Sequence, residues 1–180
     1  MSKLDYYHIA NVALYFEQYS DIFSLIQVNS KCLEGVHTLK KTPRFHNDPS
    51  CESFLKHFSP DTLQLITPDE RSKEMMDKVK MIRTSFYSAY KYNLLTEEEI
   101  IKYIPKLTYI YFSVNDEDAL KLSRLYIDNC QLFQNLQKIQ GEINLIVEFL
   151  EKYTNNGKDK MFKFPKFVFM NSSGNYAIEF

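Results

Sequence analysis

The sequence predicts an α/β fold in which an N-terminal three-helix head, residues 4–42, precedes a short and irregular β-α solenoid over residues 58–180. Two observations carry this prediction. Apolar residues recur at helical spacing in short segments of the head, and one strand-like motif recurs in the second half of the chain. The length of 180 residues suits one domain, or one domain with a small appendage.

The helices of the head are predicted from the periodicity of its apolar residues. Ile9, Val12 and Phe16 follow one another at intervals of three and four residues, which places them on one helical face. Asp21 is a suitable start for a second helix, and a third helix carries the apolar residues between 32 and 39. Three short helices of this kind are expected to form a compact module with a small core.

The segment that follows the head is predicted to be irregular at first. Prolines disfavour regular structure over 43–60, which we interpret as a linker. A long helix is then predicted over 67–93, because Thr67 can cap its first turn. Thr96 and Glu99 form a capping-box pattern, which predicts a further short helix.

Beyond Pro105 the pattern changes to an alternation of strands and helices. We predict strands at 107–114, 136–141 and 167–170, and helices at 117–131 and 142–153. Strands that are separated by helices are expected to pair in parallel, with the helices covering one side of the sheet.

The three predicted strands share a template, in which an apolar residue is followed three positions later by a second apolar residue and five positions after that by asparagine. The matching residues are Leu107, Ile110 and Asn115; Leu136, Ile139 and Asn144; and Phe167, Met170 and Asn175. The copies lie 29 and 31 residues apart, and a period near 29 is at the upper end of the leucine-rich-repeat range. We therefore predict a leucine-rich-repeat-like array in which Asn115, Asn144 and Asn175 are structural turn residues with buried amides.

Two alternatives to this array stay open. The matches can be a coincidence in a mixed domain that is rich in Leu and Ile. Residues 122–132 also match the repeat consensus, but they lie too close to the neighbouring copies to be a repeat of this length. We therefore interpret 117–131 as a helix.

The head also resembles a known family. Residues 8–36 resemble an F-box-like three-helix head, with Tyr15-Phe16 at the end of the first helix, Asp21 at the start of the second, and a Val28-x-x-Lys31 step before the third. More closely, the chain is similar to the leucine-rich-repeat families of parasitic amoebae, in which such a head precedes degenerate repeats. This resemblance implies that Ile9, Val12 and Phe16 bind a partner protein, for which an SKP-type adaptor of a ubiquitin ligase is the candidate.

The sequence carries none of the motifs of the common enzyme classes. It has four glycines and no glycine cluster, which excludes a Walker loop and a Rossmann fingerprint, and it has no Gly-x-Ser-x-Gly nucleophile elbow. Glu97, Glu98 and Glu99 follow the cap at Thr96 and are interpreted as a helix start. We therefore expect a non-enzymatic protein without a cofactor.

The sequence does not favour a metal site or a nucleic-acid site. The zinc-ligand residue types in the first third of the chain are Cys32, His37, His46, Cys51 and His57, but their spacing is unlike that of structural zinc sites. Buried thiols and loop histidines are the interpretation we adopt. The lysines over 158–166 lie in a chain of net charge -1, which favours a solvated loop over a nucleic-acid surface.

These observations predict a protein-interaction module. Tyr109 and Tyr111 are expected to line a concave sheet face and to bind a partner protein there, because aromatic side chains with a polar tip are common at interfaces. The alternative is a structural or scaffold protein of the leucine-rich-repeat type without a link to ubiquitin. The chain begins without an apolar signal segment and has an odd number of cysteines, so we expect a cytoplasmic protein that does not bind membranes.

Overall fold

The structure, a computed structural model, describes residues 5–46, 48–156, 166–169 and 176–179. It is a mixed α/β protein that forms two compact units. The first unit comprises residues 1–66 and 71–83, and the second comprises 67–70 and 84–180. The first unit thus extends well beyond the predicted head, and the predicted repeat region of 58–180 begins inside it.

The three predicted helices of the head are confirmed. They are α1 (Tyr6–Ala13), α2 (Tyr19–Ile26) and α3 (Ser30–His37). Asp5 and Asn29 cap α1 and α3, because each side chain accepts a hydrogen bond from the backbone N–H three residues later. Both α1 and α2 pack on α3. Gly35 of α3 lets α1 approach closely, because a Cβ atom at this position would lie 2.7 Å from Cγ2 of Ile9.

The predicted linker over 43–60 is wrong, because the helix α4 (Asp48–His57) occupies most of it. Its proline, Pro49, lies in the first helical turn, where the missing N–H group has no helical partner to lose. The helix is held by its apolar face. The ring of Phe54 is fully buried, and its centroid lies 5.6 Å from that of Phe45 and 4.7 Å from that of Phe58.

The predicted helix over 67–93 is also wrong. This segment contains α5 (Ser72–Lys78), β2 (Met81–Arg83) and α6 (Tyr87–Lys91), and β2 pairs in parallel with β1 (Thr62–Gln64). Val79 and Ile82 are buried, and their spacing of three suits a helix as well as the strand motif. The backbone of Val79 is extended, with φ -102° and ψ 159°, and this ends α5 before the strand.

The first unit has a further parallel contact beside β1. Lys41 forms a parallel bridge with Thr62, and the N–H of Thr42 donates to the carbonyl oxygen of Thr62 at 2.9 Å. The hydroxyl of the buried Thr42 accepts a hydrogen bond from the N–H of Gln64 at 2.8 Å. These bonds fix the start of β1.

The helices and strands predicted between residues 96 and 156 are confirmed. They are α7 (Glu97–Tyr103), β3 (Tyr109–Phe112), α8 (Glu117–Asp128), β4 (Lys138–Gly141) and α9 (Ile143–Asn156). Thr96 and Glu99 form the predicted capping box, in which each side chain accepts a hydrogen bond from the other's backbone N–H. Since α8 covers 117–128, the alternative repeat at 122–132 does not begin with a strand.

The strands β3 and β4 pair in parallel, and their register equals the predicted spacing. Tyr109 lies opposite Lys138 and Phe112 lies opposite Gly141, an offset of 29 residues in each case. The helices α8 and α9 cover one side of these strands. The ring of Phe149 from α9 packs there against Phe112 and Phe133, with centroid distances of 5.5 and 5.4 Å.

The third predicted copy of the repeat does not continue this parallel pairing. A strand, β5 (Lys166–Phe169), does lie where one is predicted, but its neighbour is β6 (Tyr176–Glu179), to which it runs antiparallel. The strand β6 in turn pairs antiparallel with β4, and the sheet order is β3-β4-β6-β5. Strands that are close in sequence pair antiparallel at a low loop-closure cost, which accounts for the difference. Met170 and Asn175 lie outside the described residues.

Candidate functional site

One side of the β3-β4 pair is buried and the other is partly open. Alternate residues of both strands, Ile110 and Phe112 on β3 and Ile139 and Gly141 on β4, face the core. The remaining four residues are half-buried and share the opposite side, which we call the sheet face. They are Tyr109, Tyr111, Lys138 and Gln140.

The parallel register brings the four residues of the sheet face together. Tyr109 lies opposite Lys138, and Tyr111 lies opposite Gln140. Neighbouring strands are about 4.8 Å apart, so two tyrosine rings stand beside a lysine and an amide. The two tyrosines that the sequence singles out are therefore neighbours on one surface.

A small cleft opens at the carboxyl end of β3, with a volume of about 160 Å³. We call it the β3 cleft. Its polar lining residues are Ser85, Tyr87, Tyr111, Ser113 and Asn115. Ala119 and Leu122 from α8 complete the lining with apolar side chains. Tyr111 therefore belongs both to the sheet face and to the cleft.

An ion-pair network fixes one side of the β3 cleft. The hydroxyl of Tyr87 donates a hydrogen bond to Oδ2 of Asp116. Nζ of Lys91 lies 2.9 Å from the Tyr87 hydroxyl oxygen and 2.9 Å from Oδ2 of Asp116. Oδ1 of Asp116 accepts a hydrogen bond from the N–H of Ala119 at 2.8 Å and so caps α8. The Tyr87 hydroxyl, the Ala119 N–H and the Lys91 ammonium together hold the pKa of Asp116 well below its usual value.

The turn after β3 is held by serine rather than by asparagine. Ser123 is buried in α8, and its Oγ accepts a hydrogen bond from the N–H of Ser113 at 3.1 Å. The same Oγ lies 3.2 Å from the carbonyl oxygen of Ser113 and 2.8 Å from that of Ala119. The Ser123 side chain of α8 thus provides a hydrogen-bond partner for the backbone groups of Ser113 at the end of β3.

The predicted role of the asparagines is therefore wrong in the described copies. Asn115 and Asn144 are both exposed, and Asn144 lies in the first turn of α9 rather than in a turn after β4. The physical reason is that each helix begins almost immediately after its strand, so neither amide is enclosed. Asn115 lines the β3 cleft instead. Asn175 lies outside the described residues.

The residues predicted to bind a partner on the head differ in their accessibility. Ile9 is buried against Gly35, so its side chain belongs to the core of the head rather than to its surface. Val12 is 49 % exposed and Phe16 is half-buried. The head has further exposed apolar side chains, which with Val12 we call the head surface: Tyr7, Tyr15, Phe23 and Val28.

Of the seven residues that line the β3 cleft, only Tyr111 and Asn115 were singled out from the sequence as site residues. Ser85 and Tyr87 fall inside the segment that was predicted as one long helix. A signal was present, because Val79, Ile82 and Thr84 have the spacing of Leu107, Ile110 and Phe112. That spacing predicts a strand end just before Ser85.

The cysteine and histidine residues in the first third of the chain are of the types that bind zinc. In the part of the chain that the structure describes, no group of three or more His, Cys, Asp or Glu side chains is arranged to hold a metal ion. Burial, with the nearby carboxylates of Asp48 and Glu52, raises the pKa of the Cys51 thiol to about 12. The ring of His37 packs on that of Phe58, with centroids 4.9 Å apart.

Among the described helices, none has the length and apolar character that crossing a membrane requires. Comparison with protein families, with curated proteins and with solved structures finds no match to this chain. The site is therefore interpreted from its own geometry.

Proposed function

We propose that this chain is a non-enzymatic protein-interaction module of the leucine-rich-repeat-like type, which holds a target protein on its sheet face and recruits it to a ubiquitin ligase through its F-box-like head. The observation that carries the proposal is the sheet face itself. Two half-exposed tyrosines lie side by side there on rigid, in-register parallel strands.

A repeat-like origin is supported by the strands of both units. The second apolar position of the motif is Leu63 in β1, Ile82 in β2, Ile110 in β3 and Ile139 in β4, and all four side chains are buried. Their spacings are 19, 28 and 29 residues, close to the lengths of leucine-rich repeats. The pairs β1-β2 and β3-β4 are each parallel, as consecutive repeats would be.

The composition of the sheet face suits protein recognition. A tyrosine buries a large apolar ring while its hydroxyl keeps a hydrogen-bond partner, and tyrosine is enriched at the centres of interfaces. Lys138 and Gln140 lie beside the rings and provide polar contacts that set the orientation of a partner. The strands hold all four residues in place, which lowers the ordering cost of binding.

The head surface supports the second half of the proposal. Tyr15 is 85 % exposed, Val28 is 67 % exposed and Val12 is 49 % exposed. A contiguous patch of exposed apolar side chains is a common mark of a protein-binding site, and we propose that the head surface forms such a patch. The F-box likeness of the head makes an SKP-type adaptor the partner to test.

The adaptor is tested with purified proteins in a pull-down. We expect the wild-type chain to retain an SKP-type adaptor and the double variant Val12→Glu/Val28→Glu to lose it, because two charges would be buried at the interface. Val147→Glu on α9 is the matched control, since Val147 is 45 % exposed and lies in the other unit. Equal retention by all three proteins would contradict the ligase link.

The sheet face is tested by site-specific photo-crosslinking. A photoreactive phenylalanine analogue replaces Tyr111 in one sample and Val147 in another. We expect one protein to be crosslinked reproducibly at position 111 and not at 147, and to be ubiquitylated when the ligase is added. Crosslinking without adaptor binding would instead favour the scaffold alternative, and no specific crosslink at 111 would contradict the module.

A further inference from the structure

We propose that the β3 cleft binds one tyrosine side chain of the target protein, with the aromatic ring enclosed and the phenolic hydroxyl bonded to the polar groups of the lining. This inference rests on the proposed function only in naming a protein as the source of the tyrosine. The cleft, its volume and its chemistry stand independently of that source.

The volume of the β3 cleft limits its occupant to about one ring. At about 160 Å³ it is close to an engineered cavity of about 150 Å³ that binds benzene. Pockets for drug-sized ligands and cofactors are about 300 to 1,000 Å³. A single side chain fits, whereas a nucleotide or a flavin does not.

The mixed lining selects an amphipathic ring. Ala119 and Leu122 offer an apolar wall, while Ser85, Ser113 and Asn115 offer hydroxyl and amide groups. A purely apolar side chain would exclude solvent from these groups without offering them a hydrogen bond, which costs free energy. A tyrosine ring packs on the apolar wall, and its hydroxyl forms a hydrogen bond in place of the one lost to solvent.

A charged side chain is disfavoured by the network beside the cleft. Asp116 and Lys91 form an ion pair at 2.9 Å, so their charges largely compensate each other. An incoming ammonium or carboxylate group would lose hydration in the cleft without gaining an unpaired partner. A neutral occupant with a polar tip avoids this cost.

The walls of the cleft are held in place before binding. The ring of Tyr87 is anchored by its hydrogen bond to Asp116, and the backbone of Ser113 is anchored by Ser123. A site that is already ordered pays little conformational entropy on binding. Since Tyr111 joins the cleft to the sheet face, a segment that lies along that face can place a side chain in the cleft.

The test uses the 180-residue chain, labelled with ¹⁵N, and three capped amino acids as probes. N-acetyl-L-tyrosinamide is expected to shift the backbone amide signals of Asn115 and Ala119 in a saturable way. N-acetyl-L-phenylalaninamide is expected to bind a few-fold to about tenfold more weakly, the worth of one neutral hydrogen bond. N-acetyl-L-leucinamide is expected to bind more weakly still.

Two variants separate the cleft from the rest of the surface. Ala119→Leu fills the cleft and is expected to abolish the shifts in a protein that is still folded. Asn115→Ala is expected to reduce the preference for tyrosinamide over phenylalaninamide, whereas Asn144→Ala, at the corresponding exposed asparagine after β4, is expected to keep it. Asn115→Ala also tests the cleft if Ala119→Leu fails to fold.

The outcomes distinguish this inference from the proposed function. Equal binding of the three probes, or shifts that map away from the cleft, would overturn the inference. A target protein that is crosslinked from position 111 to the same extent with and without Ala119→Leu would also overturn it while leaving the module intact. Tyrosinamide binding in the absence of any crosslinked protein would uphold the tyrosine site and contradict the module.

Discussion

Ser123 shows how a single buried hydroxyl determines the end of a strand. Its Oγ accepts a hydrogen bond from the N–H of Ser113 and lies within hydrogen-bond distance of the carbonyl oxygens of Ser113 and Ala119. From the sequence this role was predicted for Asn115, because the leucine-rich-repeat consensus has an asparagine after the strand. Ser113 and Ser123 are ten residues apart and no local pattern links them, so the actual pair was not predictable.

Replacing Ser123 with alanine should therefore be costly. We expect Ser123→Ala to lower the free energy of unfolding by about 1 to 3 kcal/mol, since backbone groups of Ser113 lose their partner in the interior. Ser24→Ala is the control, because Ser24 makes a similar bond to the carbonyl of Ser20 but is exposed. Urea unfolding of both variants measures the difference, and equal losses would contradict this account.

Asp116 makes stability depend on pH in a defined direction. Its contacts lower its pKa in the folded chain below the ordinary value of 3.8. They therefore stabilise the fold at pH values above that pKa, and this stabilisation is lost as the pH falls towards the folded-state pKa. We expect wild type to be more stable than Asp116→Asn at neutral pH. This advantage should shrink as the pH falls below about 4.

Urea unfolding at several pH values measures the stability difference between the two proteins. Asp118→Asn removes a charge from the same turn of α8 and so controls for the general effect of acids at a helix start. An advantage over Asp116→Asn that is unchanged from neutral to strongly acidic pH would contradict the role of the network.

At the scale of elements, Gly141 occupies the position of β4 that lies opposite Phe112 of β3. The strand β3 has a large apolar residue at this position, but the backbone at Gly141 has a φ of +127°. A Cβ atom would lie 1.9 Å from the carbonyl oxygen of Phe112 in the neighbouring strand. The missing apolar side chain therefore reflects the geometry of the β3-β4 pair.

Gly141→Ala is expected to destabilise the protein by at least about 2 kcal/mol, because the backbone must shift to relieve both the clash and the strain. Gln140→Ala, at the adjacent half-buried position, should cost less than about 1 kcal/mol. Thermal and urea unfolding compare the two variants. A mild effect of Gly141→Ala would show that the two strands can separate at little cost.

The elements that sequence analysis found and those that it missed differ in their signals. The elements from α7 to α9 were found because a capping box and strong periodicity mark them. The segment 67–93 was misread because its apolar residues suit a helix and a strand motif equally, and no glycine or proline lies between 69 and 93. Pairing partners were harder still, since β6 joins β4 from far along the chain.

At the scale of the whole molecule, the three cysteines report on the two units. Cys32 and Cys51 are buried in the first unit and Cys130 is buried in the second. We expect the folded chain to resist labelling by a thiol reagent, since the core shields all three thiols from the reagent. Each cysteine should become reactive as its own unit unfolds in urea.

Phe149→Ala checks this assignment. The substitution removes a fully buried ring from the core of the second unit and should cost about 3 to 5 kcal/mol. The urea concentration at which Cys130 is labelled should therefore fall, as mass spectrometry of the labelled peptides can measure. An unchanged midpoint at Cys130 would contradict the packing described for Phe112, Phe133 and Phe149.

The candidate site was only partly predictable at this scale. Tyr109, Tyr111 and Asn115 follow from one recurring motif, and the structure gathers them around the end of β3. The network of Tyr87, Lys91 and Asp116 joins residues up to 29 positions apart through side-chain geometry alone. The local sequence pattern does not indicate that these three side chains are in contact.

The antiparallel strand β6 has a consequence for how the sheet can grow. A stack of parallel units extends when the last strand offers an edge that a further strand of the same direction can occupy. Here that edge of β4 is taken by a strand of opposite direction, and β5 follows it outward. Beyond β4, therefore, the sheet has changed polarity, and duplicating another strand-helix unit at that position would require the β5-β6 hairpin to be displaced first.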